Sequence, residues 1–105
     1  ETKIVEAKHG AYLSFVITPE DAGLKRAKPE DLKGGDATHN AKAFVDVIEG
    51  QHSAYRDIAV LNSAAALVVA DKAGDIKEGV ALASRAVDQG AAKDVLARLI
   101  AVSNA

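Results

Sequence analysis

A glycine-rich turn is the first stretch of this chain whose residue types could do chemistry. Gly34-Gly35-Asp36 precedes a predicted helix, and the backbone N–H groups at a helix N-terminus can bind an anion. No strand leads directly into the turn, and no Lys-Ser or Lys-Thr pair follows it, as a phosphate-binding loop requires. We therefore predict a turn in which Asp36 caps the following helix, rather than an anion site.

The three histidines are the second set of candidate functional residues. His9, His39 and His52 are spread over a turn, a helix start and a loop. No two of them have the i, i+4 spacing of a zinc-binding helix, and the chain has no cysteine. Asp36 and His39 can approach each other over one turn, but no nucleophile accompanies them. We predict exposed histidines, and we assign no catalytic, cofactor-binding or metal-binding residue.

Four cationic side chains form the third set, and all lie in one predicted loop between Lys25 and Lys33. They are Lys25, Arg26, Lys28 and Lys33. The first interpretation is a solvated linker, and the second is a contact with a phosphate or carboxylate group. We favour the linker, because a run of like charges most often faces solvent.

An apolar run, Ile58 to Ala70, is the stretch around which we expect the other elements to pack. Only Asn62 and Ser63 are polar in it, and a helix that is apolar on every side must be buried on every side. A buried Asn62 amide would bond to a neighbouring loop or helix end. Arg56 stands unfavourably near the positive end of this helix, so we expect it to reach a carboxylate elsewhere or to point to solvent.

Composition excludes several classes of function. The 105 residues suffice for one domain, and 13 basic against 15 acidic residues give a net charge of -2. This balance provides no electrostatic surface for nucleic acid or for an anionic membrane. The absence of cysteine is typical of a cytoplasmic protein. Because the chain begins at Glu1 and contains no methionine, we expect it to be a piece of a longer polypeptide.

The chain begins with a predicted antiparallel hairpin over residues 2–18. Two runs rich in β-branched and aromatic residues flank Lys8-His9-Gly10, in which Gly10 tolerates positive φ. Two strands alone are marginally stable in water, so the hairpin needs a helix layer or further strands over its apolar face. A turn-rich loop over residues 19–36 follows, in which Pro-Glu-Asp occurs twice, at Pro19 and at Pro29.

Four helices are predicted after this loop, at about 37–49, 55–72, 76–89 and 92–103. The fold class is therefore α+β, a hairpin followed by four helices. The apolar stripes that we expect to face the core are Ala41, Phe44, Val45 and Ile48 in the first helix, Ile76, Val80, Ala83 and Val87 in the third, and Val95, Leu96, Leu99 and Val102 in the fourth.

Four blocks of residues, taken in order, resemble the C-terminal part of the anthranilate phosphoribosyltransferase family. Each block alone is common, but four in register are fairly specific, and the resemblance runs from about Thr2 to the end. The blocks are Thr18-Pro19-Glu20-Asp21-Ala22-Gly23-Leu24, Leu32-Lys33-Gly34-Gly35-Asp36-Ala37-Thr38-His39-Asn40-Ala41, Arg56-Asp57 with Leu61-Asn62-Ser63-Ala64-Ala65-Ala66-Leu67, and Glu78-Gly79-Val80-Ala81-Leu82-Ala83.

The resemblance implies an enzyme of tryptophan biosynthesis that transfers phosphoribose from phosphoribosyl pyrophosphate to the amine of anthranilate, using magnesium. In that family a small helical domain, which also makes the homodimer, joins a larger α/β domain with a mainly parallel sheet. Residues 1–105 would be the C-terminal portion of the larger domain, and the remainder of the parent chain would be their partner. No nucleic-acid or membrane partner is implied.

The resemblance carries no reacting group onto this chain. The family's pyrophosphate loop, its Lys-His-Gly-Asn segment and its acidic metal-binding pair all precede the position of Glu1. Lys8-His9-Gly10 is followed by Ala11 instead of asparagine, and Gly34-Gly35-Asp36 lacks the preceding Gly-Thr. We therefore expect the 105 residues alone to be inactive and to expose an apolar face.

Two other functions are compatible with the sequence. A pyrimidine-nucleoside phosphorylase shares the architecture, although the Leu32 to Asp36 block and the Arg56 to Asn62 block favour the transferase. A self-contained helical interaction module is the alternative outside the enzymes. It predicts a monomer that folds cooperatively and has no exposed sheet edge.

Overall fold

The computed structural model describes all 105 residues, Glu1 to Ala105, as a β-hairpin, two 3-10 turns and four α-helices. The predicted fold class, an α+β chain with a hairpin followed by four helices, is confirmed. The elements are β1 (Thr2–Lys8), β2 (Ala11–Ile17), 3-10 turns at Pro19–Ala22 and Pro29–Leu32, α1 (Ala37–Ile48), α2 (Ala54–Val69), α3 (Ile76–Asp88) and α4 (Ala91–Ser103).

The hairpin is antiparallel and closes through a two-residue turn. Its register runs from Thr2 opposite Ile17 to Lys8 opposite Ala11. His9 and Gly10 both have positive φ, 52° and 76°, as a type I′ turn requires. No third strand joins the sheet, so the outer edges of both strands are unpaired.

The linker between the hairpin and α1 is held by local capping bonds. The Thr18 hydroxyl accepts from the Asp21 N–H at 3.3 Å, and Asp21 Oδ2 accepts from the Thr18 N–H at 2.8 Å. This pair is a capping box, and the bonds to Thr18 lower the pKa of Asp21. The turn places Ala22 in the core with only 2% of its surface exposed.

The core lies where α2 crosses α3. Its buried members are Ala22, Val60, Ala64, Val80 and Ala83. A Cβ atom added to Gly79 would stand 2.8 Å from the Cα, the Cβ and the carbonyl oxygen of Ala64. Only glycine fits there, because a real Cβ atom does not approach backbone so closely.

The prediction that α2 is buried on every side is wrong. Only Arg56, Val60 and Ala64 are buried on this helix, and Val69 is 84% exposed. The reason is that α3 covers one side of α2 closely, whereas the other elements approach it only weakly. No helix of the chain has both the length and the apolar character needed to cross a membrane.

The number of neighbouring elements also determines whether the predicted apolar stripes of the other helices are buried. The α3 stripe is confirmed, since Val80 and Ala83 are buried and Ile76 and Val87 are half-buried. The α1 and α4 stripes face solvent for most of their length, so these two predictions are wrong. Their exposed members are Ala41, Phe44, Val45, Val95, Leu99 and Val102.

Asn62 also differs from its prediction. Its side-chain Nδ2 donates to the Ile58 carbonyl at 2.9 Å, inside its own helix, and the residue is exposed. The expected bond to another loop or helix end is absent. No element covers this face of α2, so the amide needs no distant partner.

Candidate functional site

A partly buried ion pair joins the start of α2 to the end of α3. The Ser53 hydroxyl caps α2 by accepting from the Arg56 N–H at 3.1 Å. Nη1 and Nη2 of Arg56 donate to Oδ1 and Oδ2 of Asp88 at 2.8 and 3.0 Å. Of the two alternatives predicted for Arg56, a carboxylate elsewhere in the chain or solvent, the structure shows the first.

The two partners of this pair have different environments. Arg56 is 3% exposed, whereas about half of the Asp88 side chain is exposed. The hydrogen bonds from Arg56 lower the pKa of Asp88, and the guanidinium charge and His52 add to the same effect. Because both Nη atoms of Arg56 are engaged, the pair holds two helices together and leaves no free guanidinium fork for a ligand.

A polar cleft of about 410 Å³ opens beside this ion pair. Lys25, His52 and Asp57 contribute charged or titratable groups to its wall, and Ser53 and Ser84 contribute hydroxyls. The Ser53 hydroxyl is already used in the α2 cap. Lys25 and Arg56 are balanced by Asp57 and Asp88, so the cleft has no net charge of either sign to attract an ion.

A second, more apolar cleft of about 200 Å³ lies between the end of β2 and the first turns of α2. Ile17, Leu24 and Leu61 form part of its wall, and Arg26 stands at its rim. Arg26 pairs with Glu20 at 3.2 Å, and a hydrogen bond from the Glu20 backbone, followed by those from Arg26, lowers the pKa of Glu20. Of the two loop cations that line this cleft, Lys25 and Arg26, Arg26 is therefore already paired.

The glycine-rich turn uses its own hydrogen-bonding groups. Asp36 Oδ1 accepts from the His39 N–H at 2.8 Å, which confirms Asp36 as the cap of α1. The Gly35 N–H donates to Asn40 Oδ1 at 2.9 Å, and Asn40 Nδ2 donates back to the Gly35 carbonyl at 3.0 Å. An anion would have to displace these bonds, so the structure supports a capped turn.

Two residues that position this turn were not singled out by the sequence. Asn40 clamps Gly35 from the first turn of α1, and the Tyr55 hydroxyl donates to the Lys33 carbonyl. Tyr55 thereby ties the linker to α2. The Asn40 amide five residues after a glycine was a usable signal, whereas the bond from Tyr55 spans 22 residues and has no local signature.

The chain does not assemble a metal site. No group of three or more histidine or carboxylate side chains is close enough to hold an ion. His39 contributes its backbone N–H to the α1 cap, and His52 lines the polar cleft. These residues do not fit a magnesium ion, so we derive no reaction step through one.

The chain exposes many large apolar side chains that no other element covers. On the hairpin, Tyr12, Leu13 and Val16 are more than half exposed, and on α4 so are Leu99 and Val102. Monomeric proteins rarely expose large contiguous apolar patches, and such patches commonly mark interaction sites. As expected, the chain exposes large apolar side chains, on the hairpin and on α4.

The fold is a hairpin followed by four helices, and the polar groups of its ion pair and of its glycine-rich turn bind one another. Residues 1–93 match the glycosyl transferase family, a/b domain, and the chain belongs to that family. The resemblance seen in the four sequence blocks is thereby confirmed at the level of the family.

Individual relatives show which members of this family the chain resembles. The chain is 53% identical over 103 residues to the anthranilate phosphoribosyltransferase of Brucella ovis, and equally to that of Brucella canis. Each match covers 98% of this chain and 30% of the relative. The crystal structure of anthranilate phosphoribosyltransferase from Thermus thermophilus superposes with a TM-score of 0.82 at 36% identity, covering 88% of this chain and 28% of that one. The chain thus spans about 30% of the length of the curated relatives it matches.

Proposed function

We propose that this chain is the C-terminal part of an anthranilate phosphoribosyltransferase, a transferase of tryptophan biosynthesis. The parent enzyme moves phosphoribose from phosphoribosyl pyrophosphate to the amine of anthranilate. The observation that carries the proposal is the 53% identity to enzymes of that name over 98% of this chain. Because the match covers 30% of those relatives, the activity is proposed for the longer protein.

Within that enzyme, residues 1–105 act as a scaffold in the α/β domain. The support is that the most constrained groups of the chain bind one another. Arg56 binds Asp88, Gly35 binds Asn40, and Gly79 packs on Ala64. The reacting groups are proposed to lie elsewhere in the parent, and this segment contributes by holding its neighbours in place.

The remaining properties of the parent follow from the same proposal. The remainder of the parent chain is proposed to cover the exposed faces of the hairpin and α4, and the parent is proposed to be a cytoplasmic homodimer. Magnesium is proposed to bind the parent outside this segment. A bound divalent ion would supply charge neutralisation for the pyrophosphate group.

The two alternatives have less support. The curated relatives described above are named anthranilate phosphoribosyltransferases, which favours the transferase over a pyrimidine-nucleoside phosphorylase. A self-contained helical module predicts covered edges, whereas the hairpin has two unpaired ones.

A segment exchange tests the proposed function. The matching 30% of the Brucella ovis enzyme is replaced by this chain, and the chimera is assayed by the loss of anthranilate fluorescence on adding phosphoribosyl pyrophosphate. We expect activity, because the interfaces of a scaffold should remain compatible at 53% identity. A folded chimera without activity would contradict the proposal.

Two controls define the result. The same exchange into a pyrimidine-nucleoside phosphorylase should give an inactive or unfolded chimera, and an active one would favour that alternative. The 105-residue chain by itself should release no pyrophosphate from phosphoribosyl pyrophosphate in the presence of anthranilate. Release by the chain alone would show that the reacting groups lie within it.

A further inference from the structure

The pairing of β1 with β2 cannot continue past the open end of the hairpin. Thr2 lies opposite Ile17, and these two residues form the last pair of the sheet. Alternate pairs of an antiparallel sheet are hydrogen-bonded, and this last pair is of the same kind as the pair that closes the two-residue turn. The next hydrogen-bonded pair would join the residue before Glu1 to Pro19, which has no N–H group to donate.

The residue that follows β2 is also engaged elsewhere. The Thr18 N–H donates to Asp21 Oδ2 at 2.8 Å, and the Thr18 carbonyl accepts from the Asp21 N–H at 3.2 Å. The turn after β2 therefore uses both backbone groups of Thr18. Any polypeptide that precedes Glu1 in a longer protein must leave the pairing with β2 at Glu1, because β2 offers it no further partner.

The apolar cleft of about 200 Å³ opens at this point of departure. Glu1 and Thr2 are themselves part of its wall, together with Ile17. Leu24 and Leu61 also line the cleft, and both are half-buried and pack against the core. A side chain that entered the cleft would therefore extend the core formed by α2 and α3.

The size and the walls of the cleft fit side chains better than a ligand. Sites for small molecules usually have about 300–1,000 Å³ and several polar groups that orient the ligand. This cleft is smaller, and Arg26, one of its cations, is already bound to Glu20. Ile58 adds a further apolar side chain to the wall and is 38% exposed, so part of this wall remains to be covered.

We propose that the stretch of about four residues immediately before Glu1 in the parent chain docks in this cleft and places an apolar side chain against Leu24, Ile58 and Leu61. An extended chain advances about 3.3–3.6 Å per residue, so these residues lie within about 14 Å of Glu1. The proposal rests on the proposed function, in which this chain spans about 30% of its relatives and follows a longer N-terminal part. The contact fixes the direction in which the chain enters the hairpin.

Disulfide trapping in the parent protein tests the docking. The 105 residues contain no cysteine, so Leu61→Cys can be combined with a cysteine at each of the four positions before Glu1, any other cysteine of the parent being changed to serine. A disulfide needs Cα atoms about 4.4–6.8 Å apart, so its formation reports direct contact. We expect at least one of the four pairs to oxidise within the chain, seen as a loss of free thiols and a shift on a non-reducing gel.

Asn62→Cys is the matched control for the trapping experiment. Asn62 follows Leu61 on α2, but it is exposed and does not line the cleft. With the same four partners, Asn62→Cys should oxidise at least about tenfold more slowly than Leu61→Cys, because its side chain leaves α2 in another direction.

Hydrogen exchange in the parent protein supplies a second readout. Ile58→Ala removes part of the cleft wall without touching the core cluster or the side chains packed on it, so the fold should be retained. We expect the amides of the stretch before Glu1 to exchange about tenfold faster in this variant, because the stretch opens more often when it loses a contact. Asn62→Ala should leave their exchange unchanged.

Four results would overturn the proposal. They are the absence of a disulfide at all four positions, equal oxidation of Leu61→Cys and Asn62→Cys, unchanged exchange in Ile58→Ala, and a dimer-sized product on the gel, which would assign the cleft to a second copy. Neither readout uses transferase activity. A parent protein that docks this stretch but does not transfer phosphoribose would therefore contradict the proposed function alone.

Discussion

Val60 and Val69 belong to the same helix and have opposite environments. Val60 is 2% exposed in the contact with α3, and Val69 is 84% exposed two and a half turns later. The same contrast separates the α2–α3 pair from the hairpin and α4, although all of them are rich in valine and leucine. Burial in this chain is therefore decided by which elements have a neighbour, and not by which are most apolar.

Polar contacts follow the same division. The α2–α3 pair has a bidentate ion pair at one end, and at the other Asp75 caps α3 at 2.7 Å while Glu78 accepts from the Gly74 N–H at 2.9 Å. In contrast, α4 begins at Gly90 without a side-chain cap, and its link to α1 is an exposed pair between Lys93 and Glu49. Exposed ion pairs contribute little to stability.

The largest effect should come from Gly79→Ala, which tests the closest contact in the packed region. Alanine normally stabilises a helix by about 1 kcal/mol relative to glycine. Here its Cβ would stand 2.8 Å from Ala64 backbone atoms, so we expect a net loss of about 3 kcal/mol in the free energy of unfolding. Urea unfolding followed by circular dichroism measures it, and a stabilised variant would mean that the two helices separate easily.

A pair of valine truncations compares the two regions directly. Val60→Ala removes two methyl groups from the core and should cost about 2 kcal/mol. Val102→Ala makes the same change on α4, where the side chain is 76% exposed, and should stay within about 0.5 kcal/mol. Equal losses in the two urea titrations would show that α4 is covered in solution.

Two helix caps of similar geometry, one on the packed helix α3 and one on the more exposed helix α1, allow the same comparison for a single hydrogen bond. Asp75 caps α3 and Asp36 caps α1, at 2.7 and 2.8 Å. Asp75→Ala should lower the free energy of unfolding by about 1 kcal/mol, because α3 packs in the core. Asp36→Ala should mainly fray α1, seen as faster hydrogen exchange at His39 and Asn40 with a smaller change in the urea midpoint.

The smallest expected effect is a dependence of stability on pH that comes from Asp88. Arg56 lowers the pKa of Asp88 in the folded chain, so its contribution is complete above the ordinary aspartate pKa of about 3.9 and is lost as pH falls through the lower folded value. Asp88→Asn should therefore be less stable than the unmodified chain at neutral pH, with a difference that shrinks below about pH 4.

A double-mutant cycle isolates this contribution. In the Arg56→Met background, Asp88→Asn should no longer change the pH dependence of the urea midpoint, because the cation that lowers the pKa is gone. Solvent around the half-exposed Asp88 keeps the effect below those of the core substitutions. A pH-dependent difference that persists in this background would assign the effect to another group, such as His52.

Local features were predictable from the sequence, and features that depend on distant neighbours were not. Asp36 acts as a cap and Lys8-His9-Gly10 forms the turn, because each rests on a few adjacent residues. The burial of α2 depends on how many elements surround it, which periodicity does not reveal. An apolar face therefore shows which residues of a helix can be buried, but not whether another element covers them.

The candidate site shows the same limit. The position of Arg56 at a positive helix end predicted either a distant carboxylate or solvent, and only the structure shows that its partner is Asp88, 32 residues away. Tyr55 and Lys33 are likewise joined only by the fold. The resemblance to a family came from four short blocks in register, and it identified more of the function than any single residue type.

The contact between Gly79 and Ala64 has a mechanical consequence. Because no side chain separates the two backbones at Gly79, neither helix can slide or roll without displacing the other. We therefore expect α2 and α3 to move together as one rigid unit.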